Sequence, residues 1–390
     1  MPAFDINEYR ARISKVKKLM CARGIDVYIG SHPANMNYLS GYDGWSFYVH
    51  QCVVLTLDSD VPIWFGREMD IAGAASTVWM PSTNLRCYSD RFVDSNVIHP
   101  MEVLAQILRE IGWETGRIGV EMDAWYYTAK SHEVLSAELP KATLIDIWPM
   151  VNQVRLIKSH AEMLFIRGAA QIVSKAMQVA VESIKPGVRE NDAVAEITHA
   201  QISGVGNYWG DYPATLAAVP SGARSAAPHL TWTGDPFAIG SMTNIELGGC
   251  HHRYHAALAR TLFLGKPHSK LVDLARVTED GFYQALAVAT AGNTCEAVES
   301  AWATSISKGG YVKHSRIGYS IGLNYPPDWG EQSASLRDGD TTILQENMCF
   351  HLILGMWMDD WGYELSETIR ITDNTPEILT DFPRILVVKQ

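Results

Sequence analysis

The sequence predicts an α/β (α+β) protein of two domains, and three observations carry that expectation. The chain has 390 residues, more than one hydrophobic core ordinarily organises. Its first part alternates helical and strand patterns. Its second part carries a helix–Gly–helix pattern twice. ESIKPGVRENDAVAEITHAQISGVG resembles AVATAGNTCEAVESAWATSISKGGY with a one-residue slip, and each copy leads into strand-like sequence. The expected architecture is an α/β domain with a mixed sheet over residues 1–155, followed over residues 156–390 by a curved antiparallel sheet backed by helices and built from pseudo-twofold halves.

The elements follow in order. YRARISKVKKLMCARGI has apolar residues at helical spacing and stops at Gly24; DVYIGS is a strand, and NYLSGYDGW reads as a turn-rich segment. QCVVLTLDSDVPIWF reads as two strands around an Asp-Ser-Asp turn, HPMEVLAQILREIGW as a helix, and GRIGVEM and KATLIDIW as strands. The boundary falls in NQVRLIKSHAEM, after which a long helix runs from Ala161 to a Pro186-Gly187 stop. Thr243–Gly265, TNIELGGCHHRYHAALARTLFLG, has the shape of strand, turn and strand.

Composition excludes some classes. Hydrophobic residues make up 47% and charged residues 19%, the balance of a compact soluble enzyme. A net charge of −11, from 43 acidic and 32 basic side chains, lacks the basic face a nucleic-acid binder uses to displace counterions. No apolar run reaches a membrane span, and the polar N-terminus is no signal peptide. The six cysteines are scattered without CxxC spacing and read as buried thiols of a reducing compartment; the expected location is the cytoplasm.

Five segments now fall into place: RLIKSHAEM, APHLTW, NIELGG with YHAALARTLFLG, RIGYSIGLNYPP and ELSETIRIT. In this order they resemble the landmarks of the creatinase/methionine-aminopeptidase family, the pita-bread fold, and the first domain is compatible with the creatinase N-terminal domain. The resemblance implies the family's five metal-ligand positions, Asp, Asp, His, Glu and Glu. Here they fall on Glu246, Ala257, Tyr319, Ile353 and Ser366. One acidic residue in five cannot hold two metals, so no catalytic metal, no other cofactor and no peptidase activity are expected. The alternative is a rebuilt site from His251, His252 and His255. Strand alternation puts His251 and His255 on one face and His252 on the other, at the hairpin tip or rim.

GDYPA, APHLTW, ELGGCHHRYH and SRIGYSIGLNYPPDWGE are similar to the branch of the family that opens the cyclic amidine of ectoine. That likeness implies a small zwitterionic substrate whose amidinium carbon is already electrophilic, so no Lewis acid is required. Glu246 is the expected carboxylate, as covalent nucleophile or as general base for water; the structural alternative is a partner for Arg260. His229, matching a catalytic His of creatinase, is the expected proton shuttle. Asp328, Trp329 and Glu331 lie in a Pro-Pro-bounded loop that either meets the amidinium or is merely solvated. Tyr319 is an expected hydrogen-bond donor, and Asp211 and Tyr212 are expected pocket walls. Glu364 and Glu367 are read as sharing a strand face opposite Ser366, with Glu367 a candidate for substrate binding. The substrate carboxylate wants Arg316, Arg253 or Arg67, among which the sequence does not choose.

The creatinase likeness further implies a homodimer whose N-terminal domain lies near the partner's active site, through Tyr42, Trp45, Phe47 and Tyr48. These aromatics read equally well as a core strand. A deacetylase acting on the product is a further candidate partner. The rival readings are another metal-free amidinohydrolase and a non-catalytic binding member of the fold.

Overall fold

The structure, a computed structural model, describes residues 2–390. The chain divides between Arg155 and Leu156 into two compact units. The first contains strands β1 (Val27–Gly30), β2 (Cys52–Thr56), β3 (Ile63–Arg67), β4 (Leu85–Tyr88), β5 (Gly116–Val120) and β6 (Ala142–Asp146) in one sheet of order β4-β3-β2-β1-β5-β6. The β1–β2 and β2–β3 pairs are antiparallel and the other three parallel, so the sheet is mixed as expected. Its helices are α1 (Ile6–Arg23), α2 (Pro33–Ser40), α3 (Ile71–Thr77), α4 (Pro100–Glu110), α5 (Ala129–Glu138) and α6 (Met150–Arg155). Helix α1 buries Tyr9, Ile13, Val16 and Met20 and ends where Gly24 turns left-handed at φ 63°.

One local reading changes. The first four residues of the segment expected to be turn-rich, Asn37 to Ser40, are the second half of helix α2, all eight of whose residues are buried. A helix covered on every side has no polar face, so its sequence carries no 3.6-residue alternation. Its start signal was Pro33 at the first helical position.

The second unit repeats helix pair and strands. Helices α7 (His160–Ser183) and α8 (Glu190–Ser203) lead into β7 (Met242–His251) and β8 (Tyr254–Leu264). Helices α9 (Ser269–Val288) and α10 (Cys295–Ser307) lead into β9 (Gly318–Ile321), β10 (Gly330–Leu336), β11 (Cys349–Ile353), β12 (Met356–Trp357), β13 (Gly362–Tyr363), β14 (Ser366–Arg370), β15 (Glu377–Ile378) and β16 (Val387–Lys389). The sheets run β16-β8-β7 and β10-β9-β11-β14-β15. They meet where the Thr368 hydroxyl on β14 accepts from Ala257 N at 2.8 Å and donates to Ala257 O at 2.9 Å on β8. Apolar helix faces cover both: α7 and α8 over β7–β8, and α9 and α10 over the longer sheet.

The β7–β8 hairpin turns on His252 and Arg253, at φ 49° and 65°. Two successive left-handed residues make the tight turn that matches strand twist. Because the turn sets His251 opposite Tyr254 and Cys250 opposite His255, His251 and His255 face opposite sides, not one side as simple alternation implied. Their partners differ accordingly. His251 Nδ1 lies 2.8 Å from Trp209 O, the His252 ring stacks on Phe165 at 4.4 Å, and His255 Nε2 accepts from Ala214 N at 2.9 Å. The three imidazoles do not converge. Four cysteines are buried, whereas Cys21 is exposed and Cys87 half-buried; none is paired. No helix among the described residues is long and apolar enough to cross a membrane.

Candidate active site

Glu246 is the one residue of β7 that is not fully buried. Protein surrounds its carboxylate, yet the side chain keeps accessible surface, so it borders an open hollow. Across the hairpin it faces Ala259, with Gly248 facing Ala257 and Asn244 facing Thr261. The small alanines on β8 leave room where bulkier residues would fill the space.

The opposite wall is a hydrogen-bond relay. Trp329 Nε1 donates to the Tyr319 hydroxyl at 2.8 Å, and that hydroxyl lies 3.1 Å from His351 Nδ1; His351 Nε2 lies 2.7 Å from Ser366 Oγ. The phenol accepts from the indole, so its own proton goes to Nδ1. This assigns the proton of neutral His351 to Nε2, which donates to Ser366. Burial, helped by Arg316, lowers the pKa of His351 to about 3, so the ring stays neutral, and burial raises Tyr319 well above the ordinary phenol value. Trp329 packs over Gly248, where any Cβ would come within 2.7 Å of the indole. The Gly of the ELGG motif is therefore required by packing.

Charge collects around Glu246. Burial first, and then Asp328, raises its pKa to about 7. Burial and then Glu246 raise Glu364 well above the ordinary carboxylate range, while Lys313 pulls it back. Burial raises Asp328 too, opposed by its bond from Gly330 N and by Arg316. Lys313 is itself lowered to about 8 by burial, and it donates to Gly355 O at 2.5 Å. Burial, and in two of the three a neighbouring carboxylate, thus pushes these acids upward.

Several expected site residues are brought together here, and others are not. Glu246, Tyr319, Asp328 and Trp329 share the hollow or its wall. Glu331 is instead a buried partner of Lys158 at 2.5 Å, both side chains 1% exposed or less, and it does not face a solvent-accessible site. Glu367 is fully buried against Arg260 at 2.5 Å and bonded by Arg384 at 3.3 Å. Both were candidates for substrate binding, and both are structural instead, because a buried carboxylate must be neutralised. The same pair removes the structural alternative for Glu246, since Arg260 pairs with Ile245 in the ladder and faces away from it. Asp211 accepts from Arg253 N at 3.1 Å and pairs with its guanidinium at 3.4 Å, which in turn lies 3.6 Å from the Tyr212 ring. These two brace the hairpin turn. His229 sits in an exposed turn and makes no hydrogen bond among the described residues. Phe47 belongs to the first unit, where it contacts Trp45 and lines a hollow of about 270 Å³ with Tyr48, His50 and Tyr126.

Two residues were missed. Glu364 lies between β13 and β14, two positions before Ser366, where strand alternation does not fix its side as the sequence reading assumed. His351 is likewise two positions from Ile353. Among the three candidate arginines, Arg67 is bonded to Asp90 and Arg253 to Asp211. Arg316 is exposed and in no ion pair among the described residues, with Ser335 Oγ at 3.1 Å and the Tyr319 ring at 4.3 Å from its guanidinium.

Residues 165–373 match the family described as metallopeptidase family M24, and residues 12–157 match the creatinase/prolidase N-terminal domain. The chain belongs to metallopeptidase family M24. Among its relatives within that family are an ectoine hydrolase of Halomonas elongata, 44% identical over 99% of this chain and 98% of that one, and an uncharacterized hydrolase/peptidase of Sinorhizobium fredii, 41% identical over 99% and 98%. The fold is also that of the X-Pro aminopeptidase from Thermotoga maritima, with a TM-score of 0.81 at 21% identity, covering 96% of this chain and 99% of that one.

The family name raises the question of metals, against which the donor set at the five positions implied by the resemblance can be compared. Of the five ligand positions, only Glu246 offers a carboxylate. Ala257 and Ile353 offer no donor, and the Tyr319 and Ser366 hydroxyls are joined through His351. No group of three His, Cys, Asp or Glu side chains among the described residues is arranged to hold a metal ion. These residues do not fit the two-metal group of the M24 peptidases.

Proposed function

We propose that this M24 protein is a hydrolase that opens the cyclic amidine ring of ectoine, with hydroxyectoine a further substrate, to acetyl-2,4-diaminobutyrate, without a metal. The observation that carries the reading is the partly accessible carboxylate of Glu246 at a position the resemblance assigns to a metal ligand, among positions of which no other is a carboxylate or a histidine. The 44% identity to the Halomonas ectoine hydrolase supports the substrate. An amidinium brings its own positive charge to this cluster of carboxylates. A pocket poor in water strengthens that attraction.

In this reading Glu246 forms the bond to the amidine carbon, directly or through water, and the Tyr319–His351–Ser366 relay holds the wall against which the adduct forms. Asp328 and Trp329 flank the cationic ring. Arg316 takes the substrate carboxylate, being the arginine beside Tyr319 without an acidic partner. His229 enters through its segment, Arg224–Thr233, whose two ends are held by Glu190: Arg224 Nη1 donates at 2.8 Å and Thr233 Oγ1 at 3.1 Å. A homodimer using the aromatics around Phe47, a cytoplasmic location and a deacetylase acting on the product belong to the same reading.

Incubating purified protein with ectoine, with and without a strong chelator, and following acetyl-diaminobutyrate tests it. Turnover is expected, unchanged by the chelator. No product refutes the substrate, and product lost on chelation and restored by metal refutes the metal-free mechanism.

A further inference from the structure

Five described residues other than glycine have a positive φ, and four of them sit in turns: Asp94, Asn347, and the hairpin pair His252 and Arg253. The fifth, Gln332 at φ 54°, lies inside strand β10. Between Gly330, opposite Ile321, and Ser335, opposite Tyr319, β10 takes five steps where β9 takes two, so the strand bulges here. Both flanks of Gln332 are pinned. Asn324 Nδ2 donates to Gly330 O at 2.6 Å, Glu331 is the buried partner of Lys158, and Ser333 Oγ lies 2.7 Å from Ser320 Oγ. Glycine would take this backbone conformation without strain. A half-buried glutamine kept there instead points to a use for its side chain. That side chain bonds to Asp328, whose carboxylate also accepts from Gly330 N at 2.8 Å and from the Trp329 amide. A Cβ on Gly330 would come within 3.1 Å of the Tyr319 ring and 3.2 Å of both Asp328 carboxylate oxygens, so this acid stands against the Tyr319 wall of the hollow.

We propose that Gln332 is a positioning residue for substrate binding: the bulge holds it in the left-handed region so that its amide fixes the Asp328 carboxylate for the cationic ring. The inference rests on the cyclic-amidine reading. It makes the bulge from Gly330 to Gln332, and not Asp328 alone, the element that sets affinity for the amidinium. An amide N–H can only donate to a carboxylate, so the Gln332 side chain is oriented with its nitrogen on Asp328. A carboxylate already held by the Gly330 and Trp329 amides and by Gln332 has little freedom left to lose when the cation arrives. Asp328 flanks the ring and makes or breaks no bond, so the loss of its support belongs to binding and not to the chemical step. The strain at Gln332 is thus offset by the pinned residues on either side and serves the affinity of the site.

Gln332→Gly and Gln332→Ala separate this role from a structural one. Both remove the amide, and only glycine removes the strain. Assayed on ectoine beside the wild type, both variants are expected to raise KM about tenfold, the worth of one hydrogen bond to a charged group, with kcat within about threefold. The Tm of Gln332→Gly should equal or exceed that of the wild type, and that of Gln332→Ala should lie below it. A structural role predicts the reverse for binding: glycine, which suits the bulge, would keep the wild-type KM. In an Asp328→Ala background, Gln332→Gly should change KM by less than about twofold, because the amide then has nothing to hold. Gln332→Gly with an unchanged KM, or with a KM change undiminished by Asp328→Ala, overturns the proposal and leaves the cyclic-amidine reading standing. A wild type that does not open the ring overturns both. Should Gln332→Ala fail to fold, Gln332→Gly decides the question by itself.

Discussion

Replacing Glu246 by Gln removes a charge from the place where the fold tolerates it least, and the consequences for stability and for rate run in opposite directions. A carboxyl raised from 4.5 to about 7 by burial and by Asp328 has a charged form disfavoured by about 3 kcal/mol relative to the unfolded chain. The folded value lies above the unfolded one, so the penalty is absent below pH 4.5, grows between 4.5 and 7, and is complete above 7. Glutamine escapes it but buries an amide with imperfect partners, at a cost of about 1 kcal/mol. The variant should therefore be about 2 kcal/mol more stable than wild type at pH 8, roughly 4–8 °C in Tm for a unit of this size. The difference should shrink to nothing near pH 5. Its kcat on ectoine should fall at least ~100-fold. Thermal unfolding at the two pH values and product release at pH 8 measure both effects. A folded Glu246→Gln protein that keeps activity within a few-fold would refute the chemical role. One whose stability relative to wild type is the same at pH 5 and pH 8 would refute the burial argument beneath it.

Two further perturbations probe the walls. Gly248→Ala places a Cβ within 2.7 Å of the Trp329 ring, so the indole must move and its bond to Tyr319 must break; a loss of about 1–3 kcal/mol and a fall in kcat are expected, and an unchanged Tm with full activity would contradict the packing account. Glu190→Ala frees both ends of the segment Arg224–Thr233 that carries His229, which should raise its rate of proteolytic cutting and lower turnover, and equal cutting in variant and wild type would show that Glu190 does not anchor it.

The parts of this site that were legible in the sequence are those set by local pattern. A strand, a turn and a strand ending in Arg-Thr put Glu246 and Ala257 on one hairpin, and GYSIG put Tyr319 on the strand opposite. What stayed hidden depends on partners far away along the chain. Nothing near Glu331 announces Lys158, 173 residues earlier, and nothing near Glu367 announces that Arg260 will take its charge. In PPDWGE the sequence offers Asp328 and Glu331 on equal terms; only the fold separates the one left beside Glu246 from the one already neutralised.

Glu364 was hidden for a different reason: it lies just outside the strand whose period was used to place it. Counting by two from Ser366 gives Thr368 on the inner face and Glu367 on the outer one, which is where the structure has them bonded, whereas Glu364 lies before the strand begins. That parity has a chemical consequence. Glu367, next to Ser366, is paired with Arg260 on the outer face. Glu364, two residues before Ser366, is pushed above the ordinary carboxylate range by burial and then by Glu246, with Lys313 opposing. Two glutamates three residues apart thus meet different surroundings: Glu367 has an arginine partner, and Glu364 lies near a second carboxylate.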